Sequence, residues 1–119
     1  MSLLRPGGTN YIGVRDIPAA TAWYIDKLGL RKIQVEMDDC EECVALGFTK
    51  DDYAVTLGPV GKPTDELTHI LYTTNLSKAR EWLSSRGVRA GEIQQDRQGT
   101  HYFEMQDLEN NVIEITEKV

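Results

Sequence analysis

Residues 11–32, YIGVRDIPAATAWYIDKLGLRK, and residues 70–90, ILYTTNLSKAREWLSSRGVRA, follow one plan. Each opens with a short β-prone run, turns at Asp16-Ile17-Pro18 or Asn75-Leu76-Ser77, and continues as an amphipathic helix. Ile17, Ala20, Trp23 and Tyr24 recur 59 places later as Leu76, Ala79, Trp82 and Leu83, which together cover one helix face. Asp16 and Asn75 suit the cap positions before the helices, and Pro18 suits a first turn, where its missing N–H costs nothing. Gly29 and Gly87 supply the left-handed residue that ends each helix. The shared face predicts that Trp23 and Trp82 pack between helix and sheet.

Three strand candidates follow each helix. In the first half they are 32–37, 43–48 and 53–58; in the second they are 89–95, 100–105 and 111–116. Residues 59–67, PVGKPTDEL, have a linker's composition. The chain reads as a tandem repeat, βαβββ–linker–βαβββ. The predicted fold class is α+β: one domain over 1–119, with module one at about 9–59, a linker at about 60–67 and module two at about 68–119. The opening MSLLRPGGT reads as a loose leader.

A chain of 119 residues, 40% hydrophobic and 27% charged, can bury a core without disulfides. Nothing in it is long and apolar enough to span a bilayer, so no membrane partner is expected. With two cysteines and no export signal, the expected location is the cytoplasm. The net charge of −6 comes without a stripe of Lys and Arg, which argues against nucleic acid and fits a cationic small molecule better.

Two stretches resemble the vicinal oxygen chelate superfamily, which includes glyoxalase I, extradiol dioxygenases and bleomycin-resistance proteins. VRDIPAATAWYIDKLGL (14–30) is similar to the family's V-x-D-L-x-x-A-x-x-F-Y-x-x-x-L-G-[FL] run, and DLENNVIEI (107–115) to its D-P-D-G-N-x-[IF]-E-[IL] ending. Leu108 stands where the family has Pro and Asn110 where it has Gly; Asn tolerates positive φ, so the turn survives. The resemblance implies curved mixed sheets around a cavity, helices on their convex faces, and a homodimer. It also implies up to four metal ligands, one from the first and one from the last strand of each module. Glu114 takes the last-strand position of module two, and Thr56 or Val55 that of module one. The first-strand positions fall at Thr9 or Asn10, and at Thr68 or His69, with spacing favouring the threonines.

Alternation places Glu114 on the face opposite Ile113 and Ile115, pointing into the cavity. A divalent metal wants three or more His or carboxylate ligands, and this chain offers His69 and Glu114 with Asn10 a poor third. No resident cofactor is therefore expected, a divalent metal at His69 and Glu114 being the alternative. If strands 100–105 and 111–116 pair as a hairpin, Glu104 meets Glu114 on one face. Two such carboxylates can share a proton for acid–base work or grip a cation; a solvated Glu104 at a sheet edge is the plainer reading. Tyr11, Thr56, Tyr72 and Tyr102 are candidate cavity walls beside them, Tyr53 a further one, and His101 reads as a surface histidine.

CEEC at 40–43 lacks the second ligand pair of a zinc site and the strand-to-helix context of a thioredoxin-like one. It reads as a hairpin turn with Cys43 in the following strand. The expected function is a glyoxalase/bleomycin-resistance-like protein that binds a small cationic or aromatic molecule in a dimer cavity. The alternatives are a metal-dependent lyase or isomerase using Glu114 and His69, and a metal-free enzyme using Glu104 and Glu114.

Overall fold

Both helices begin and end where their caps require. In the computed structural model, which describes residues 3–7, 10–33, 41–60 and 69–118, helix α1 spans Ile17–Leu28 and helix α2 spans Leu76–Ser85. The extended Asp16 accepts the Ala19 amide at 3.0 Å, and Asn75 accepts the Lys78 amide at 3.1 Å, the same bond 59 residues on. Gly29 closes α1 at φ 72°. After α2, Gly87 sits at φ 82° while its amide reaches Ser84 O and the Val88 amide reaches Leu83 O, a Schellman ending.

Ala20, Tyr24 and Leu28 of α1 and Leu76, Ala79 and Leu83 of α2 are buried. Trp23 and Trp82, expected between helix and sheet, flank the core half-buried instead. Both pack against that core, and Arg86 lies over the Trp82 ring, 4.9 Å from its centroid.

Module one forms a sheet from β2 (Asn10–Val14), β3 (Arg31–Ile33), β4 (Val44–Gly47) and β5 (Tyr53–Pro59), ordered β2-β5-β4-β3. Module two uses β6 (His69–Thr73), β7 (Arg89–Ala90), β8 (Gln94–Gln95), β9 (His101–Gln106) and β10 (Val112–Glu117). In each module the first strand lies parallel to the last, β2 with β5 and β6 with β10, and the other described pairings are antiparallel. The fold is thus α+β, two βαβββ modules.

Two expectations change. The opening segment is not a loose leader: β1 (Arg5–Pro6) pairs antiparallel with β6, and Leu4 is buried. The Thr73 hydroxyl donates to Leu3 O at 2.7 Å. An uncovered β6 edge would leave backbone groups unpaired, and β1 covers it. The single strand expected at 89–95 is two short ones, broken where the Gly91 amide turns to Glu104 O at 2.8 Å. Residues 34–37, 61–67, Thr9, Cys40 and Thr68 lie outside the described residues.

Side-chain bonds between residues far apart in sequence join the modules. Asn10 links β2 to β6 through Ile70 O (2.8 Å) and Ile70 N (3.0 Å). At the helix ends, Lys27 Nζ donates to Arg86 O at 2.8 Å while Arg86 donates back to the carbonyls of Lys27 and Asp26. One hydrophobic core runs through both, from Ile12 and Leu57 to Leu71, Phe103 and Ile113. The helix-covered faces of the two sheets therefore share one side, and on module two the opposite face carries exposed and half-buried side chains.

Candidate functional site

The open face of module two is a short grid of side chains. Ile115, Ile113, Phe103, Met105 and Leu71 point to the helix and are fully buried. Alternation sends their neighbours the other way. The register aligns Ile70, Glu114 and Glu104 in one rank across β6, β10 and β9, and Tyr72, Thr116 and Tyr102 in the next. Glu104 is exposed; Glu114, Thr116, Tyr72 and Tyr102 are half-buried. Directly opposed Cβ atoms of such a pair lie roughly 5 Å apart, so the two glutamate side chains leave the sheet side by side. The Thr116 hydroxyl donates to Glu114 Oε2 at 2.9 Å, and the Tyr102 hydroxyl reaches Gln94 Oε1 at 3.5 Å.

Module one has an equivalent face. Tyr11 and Thr56 are register partners on it, with Ala45 beyond, and Gly13 pairs with Gly58 in the next rank. The Tyr11 ring lies across Gly58, where a Cβ would come within 2.1 Å of the Tyr11 oxygen. The Tyr11 hydroxyl then donates to Pro59 O at 3.4 Å. Glycine at 58 is thus what lets this aromatic lie flat on the sheet.

Of the side chains expected at the site, the structure brings Glu104, Glu114, Tyr72 and Tyr102 together on one face and Tyr11 with Thr56 on the other module's equivalent face. Val55, the alternative to Thr56, is buried among the core. His69 is not with them. It pairs in register with Ile113, so it is buried on the helix side while Glu114 points away. Adjacent strands in that register cannot direct both side chains at one ion. Asn10 is no third ligand, since its amide is committed to Ala54 O, Ile70 O and Ile70 N. Among the described residues no group of three His, Cys, Asp or Glu stands close enough to hold a metal. The donor set does not fit a metal held by His69 and Glu114. Tyr53 is exposed at the start of β5, and His101 is exposed on β9. Cys43 precedes β4 rather than lying in it, and its sulfur lies 3.9 Å from the Tyr11 hydroxyl oxygen.

A second constellation was not expected from the sequence. Asp107 is buried, and its carboxylate accepts four bonds: from the Tyr24 hydroxyl (2.7 Å), the Glu109 amide (2.8 Å), the Asn111 amide (2.8 Å) and Asn111 Nδ2 (3.0 Å). Burial, then the nearby Asp107 charge and the bond to it, and then Glu109, push the Tyr24 hydroxyl well above the ordinary tyrosine range. Glu109 in turn accepts the Arg15 amide at 2.7 Å and the Asp16 amide at 3.0 Å. Asn110 carries φ 67°, as its place in the turn requires. The DLENN turn of module two thereby clamps the β2–α1 junction of module one. Its charged groups are occupied with structure.

The described clefts do not coincide with this face, although one of them takes in Glu104. One of about 750 Å³ runs beside the start of α1, between Ile17, Thr21, Ile25, Lys32 and Val44, and holds none of the expected site residues. A smaller one, about 410 Å³, lies between Arg89, Glu104, Gln106 and Val112 at the margin of the open face. The Glu104–Glu114 face is a sheet surface rather than an enclosed cavity.

Solved structures share this architecture. A member of the glyoxalase/bleomycin resistance protein/dioxygenase superfamily from Sphaerobacter thermophilus DSM 20745 matches with a TM-score of 0.72 and 21% identity, over 92% of this chain and 94% of its own. TnmS3, an antibiotic binding protein from Streptomyces sp. CB03234, matches at 0.69 and 17% identity over 93% of each chain. Lactoylglutathione lyase from Agrobacterium tumefaciens matches at 0.62 and 15% identity over 94% of each chain. No protein-family model matches the chain, and no curated protein matches it. The chain has the vicinal oxygen chelate fold of the glyoxalase and bleomycin-resistance proteins. Among the described residues no helix is long and apolar enough to cross a membrane.

Proposed function

We propose that this protein binds a small cationic aromatic molecule on the open faces of its sheets, in a cytoplasmic homodimer whose second copy closes the groove, and without a resident metal. The observation that carries this reading is the register pairing of Glu104 with Glu114 beside the Tyr72–Thr116–Tyr102 rank. Two carboxylates on one face attract a cation, and flanking aromatic rings take its apolar body. The net charge of −6 favours the same ligand sign and disfavours nucleic acid. A fold shared with an antibiotic binding protein agrees with it, as does the openness of the face, which a partner would have to cover.

The same pairing favours a second reading, in which Glu104 and Glu114 exchange a proton with a bound substrate. The lyase that shares the fold does not choose between them, since function lives in the site rather than the fold.

Glu114→Gln is expected to weaken binding of a cationic aromatic probe such as N-methylquinolinium at least about ten-fold, and to change unfolding free energy by less than about 0.5 kcal/mol. NMR titration and urea unfolding check the two halves. Undiminished binding in the variant would reduce Glu114 to a solvated strand residue and sink the proposal.

A further inference from the structure

Alternation on β10 continues past Glu114 and Thr116 to Lys118, whose side chain therefore joins the open face. Its backbone amide donates to Thr73 O at 2.9 Å, which keeps the chain in line with β6 beyond the end of β10. The Lys118 ammonium then lies over the Tyr72 ring, 4.6 Å from its centroid. Among the described residues no carboxylate stands within ion-pair distance of it. An aromatic face with a cation at that distance is a cation subsite, and here the chain fills it with its own lysine. Thr116 and Tyr102 continue the rank beside Tyr72, with the Glu104–Glu114 rank next to it.

We infer that Lys118 is a built-in occupant of the cation subsite on Tyr72, and that a cationic aromatic ligand binds by displacing it. The inference rests on the binding reading above and adds a specificity element to it. The lysine is exposed and its stem flexible, so it can leave at little cost. While in place it repels a second cation and makes it compete for the ring. A neutral aromatic of the same shape meets the obstruction without the charge repulsion.

The test is NMR titration at pH 8 with N-methylquinolinium and with quinoline, its neutral counterpart, on wild type, Lys118→Met and Lys118→Arg. Removing an exposed cation–π competitor is expected to tighten N-methylquinolinium about two- to five-fold in Lys118→Met. Quinoline should tighten less, and Lys118→Arg should resemble wild type. The Lys118 ε-methylene resonances give an independent readout. Ring current should hold them upfield in the free protein, and the cationic probe should release them. Tighter binding together with that release supports the inference. N-methylquinolinium bound no more tightly by Lys118→Met, or bound without any movement of the Lys118 resonances, overturns the inference and leaves the binding reading intact. Failure of both probes on all three proteins overturns the binding reading, and the displacement inference falls with it.

Discussion

Replacing Asp107 by alanine is expected to remove about 3–5 kcal/mol of folding stability. The carboxylate is buried and accepts four bonds, two from backbone amides of its own turn and two from side chains. Truncation removes the acceptor of all four bonds, and each donor left buried and unsatisfied costs about 1–3 kcal/mol. The turn that Asp107 shapes also holds Glu109 against the Arg15 and Asp16 amides, so the contact between modules loosens with it. Asp107→Asn should fall between wild type and alanine, because one amide oxygen can still accept while its NH₂ faces two donors. Urea unfolding of the three proteins ranks them. A loss below about 1 kcal/mol in Asp107→Ala, the size of one ordinary hydrogen bond, would refute the account of Asp107 as the hub of this turn.

The Tyr24 hydroxyl extends this prediction to pH. Its folded-state pKa is raised, first by burial and then by Asp107. The contribution is therefore complete below the unfolded tyrosine value of about 10. Above that pH the unfolded chain releases the proton while the folded chain keeps it, so stability falls as pH rises. Tyr24→Phe should cost about 1–2 kcal/mol at neutral pH by depriving the buried carboxylate of a donor, and should flatten the decline between pH 10 and 11. An unchanged slope in the variant would mean that Tyr24 is not the titrating group.

What could be read from the sequence was local or periodic. The caps at Asp16 and Asn75, the glycine endings and the positive φ at Asn110 each depend on a few adjacent residues. The duplication shows because Ala20 and Ala79, or Tyr24 and Leu83, occupy equivalent helix positions. Alternation sufficed to put Glu104 and Tyr102 on the face of Glu114, and the same alternation reaches Lys118. What stayed hidden depends on partners far along the chain. Nothing near DLENN announces that Tyr24, 83 positions away, donates to Asp107, or that Glu109 reaches amides more than 90 positions away. His69 illustrates the limit differently. The strand was recognisable, but a one-residue change in register decides whether a side chain faces core or solvent, and only the pairing of His69 with Ile113 fixes it.

Asn10 combines both lessons, and its replacement is the other large expected effect. As a polar residue at a first-strand ligand position it could be taken for a metal donor, because the amide atoms that coordinate ions are those that bond to backbone. Its buried Nδ2 instead donates to Ala54 O at 2.9 Å and Ile70 O at 2.8 Å, while Oδ1 accepts the Ile70 amide at 3.0 Å. One side chain thereby satisfies three backbone groups where the first strands of the two modules meet. Asn10→Ala is expected to cost about 2–4 kcal/mol by leaving those groups unpaired. Asn10→Asp should be at least as damaging, since a carboxylate oxygen would face two carbonyl oxygens in place of the NH₂ group. Urea unfolding gives the totals, and hydrogen exchange gives the location: the Ile70 amide should lose protection in both variants beyond what the global destabilisation explains. An Ile70 amide that stays as protected as its β6 neighbours would show that Asn10 does not bridge the sheets. Because β2 and β6 carry Tyr11 and Tyr72 to the open face, a confirmed loss should also misalign the two halves of the groove. Binding of N-methylquinolinium should then weaken in Asn10→Ala, although the amide itself lies on the helix side of the sheet.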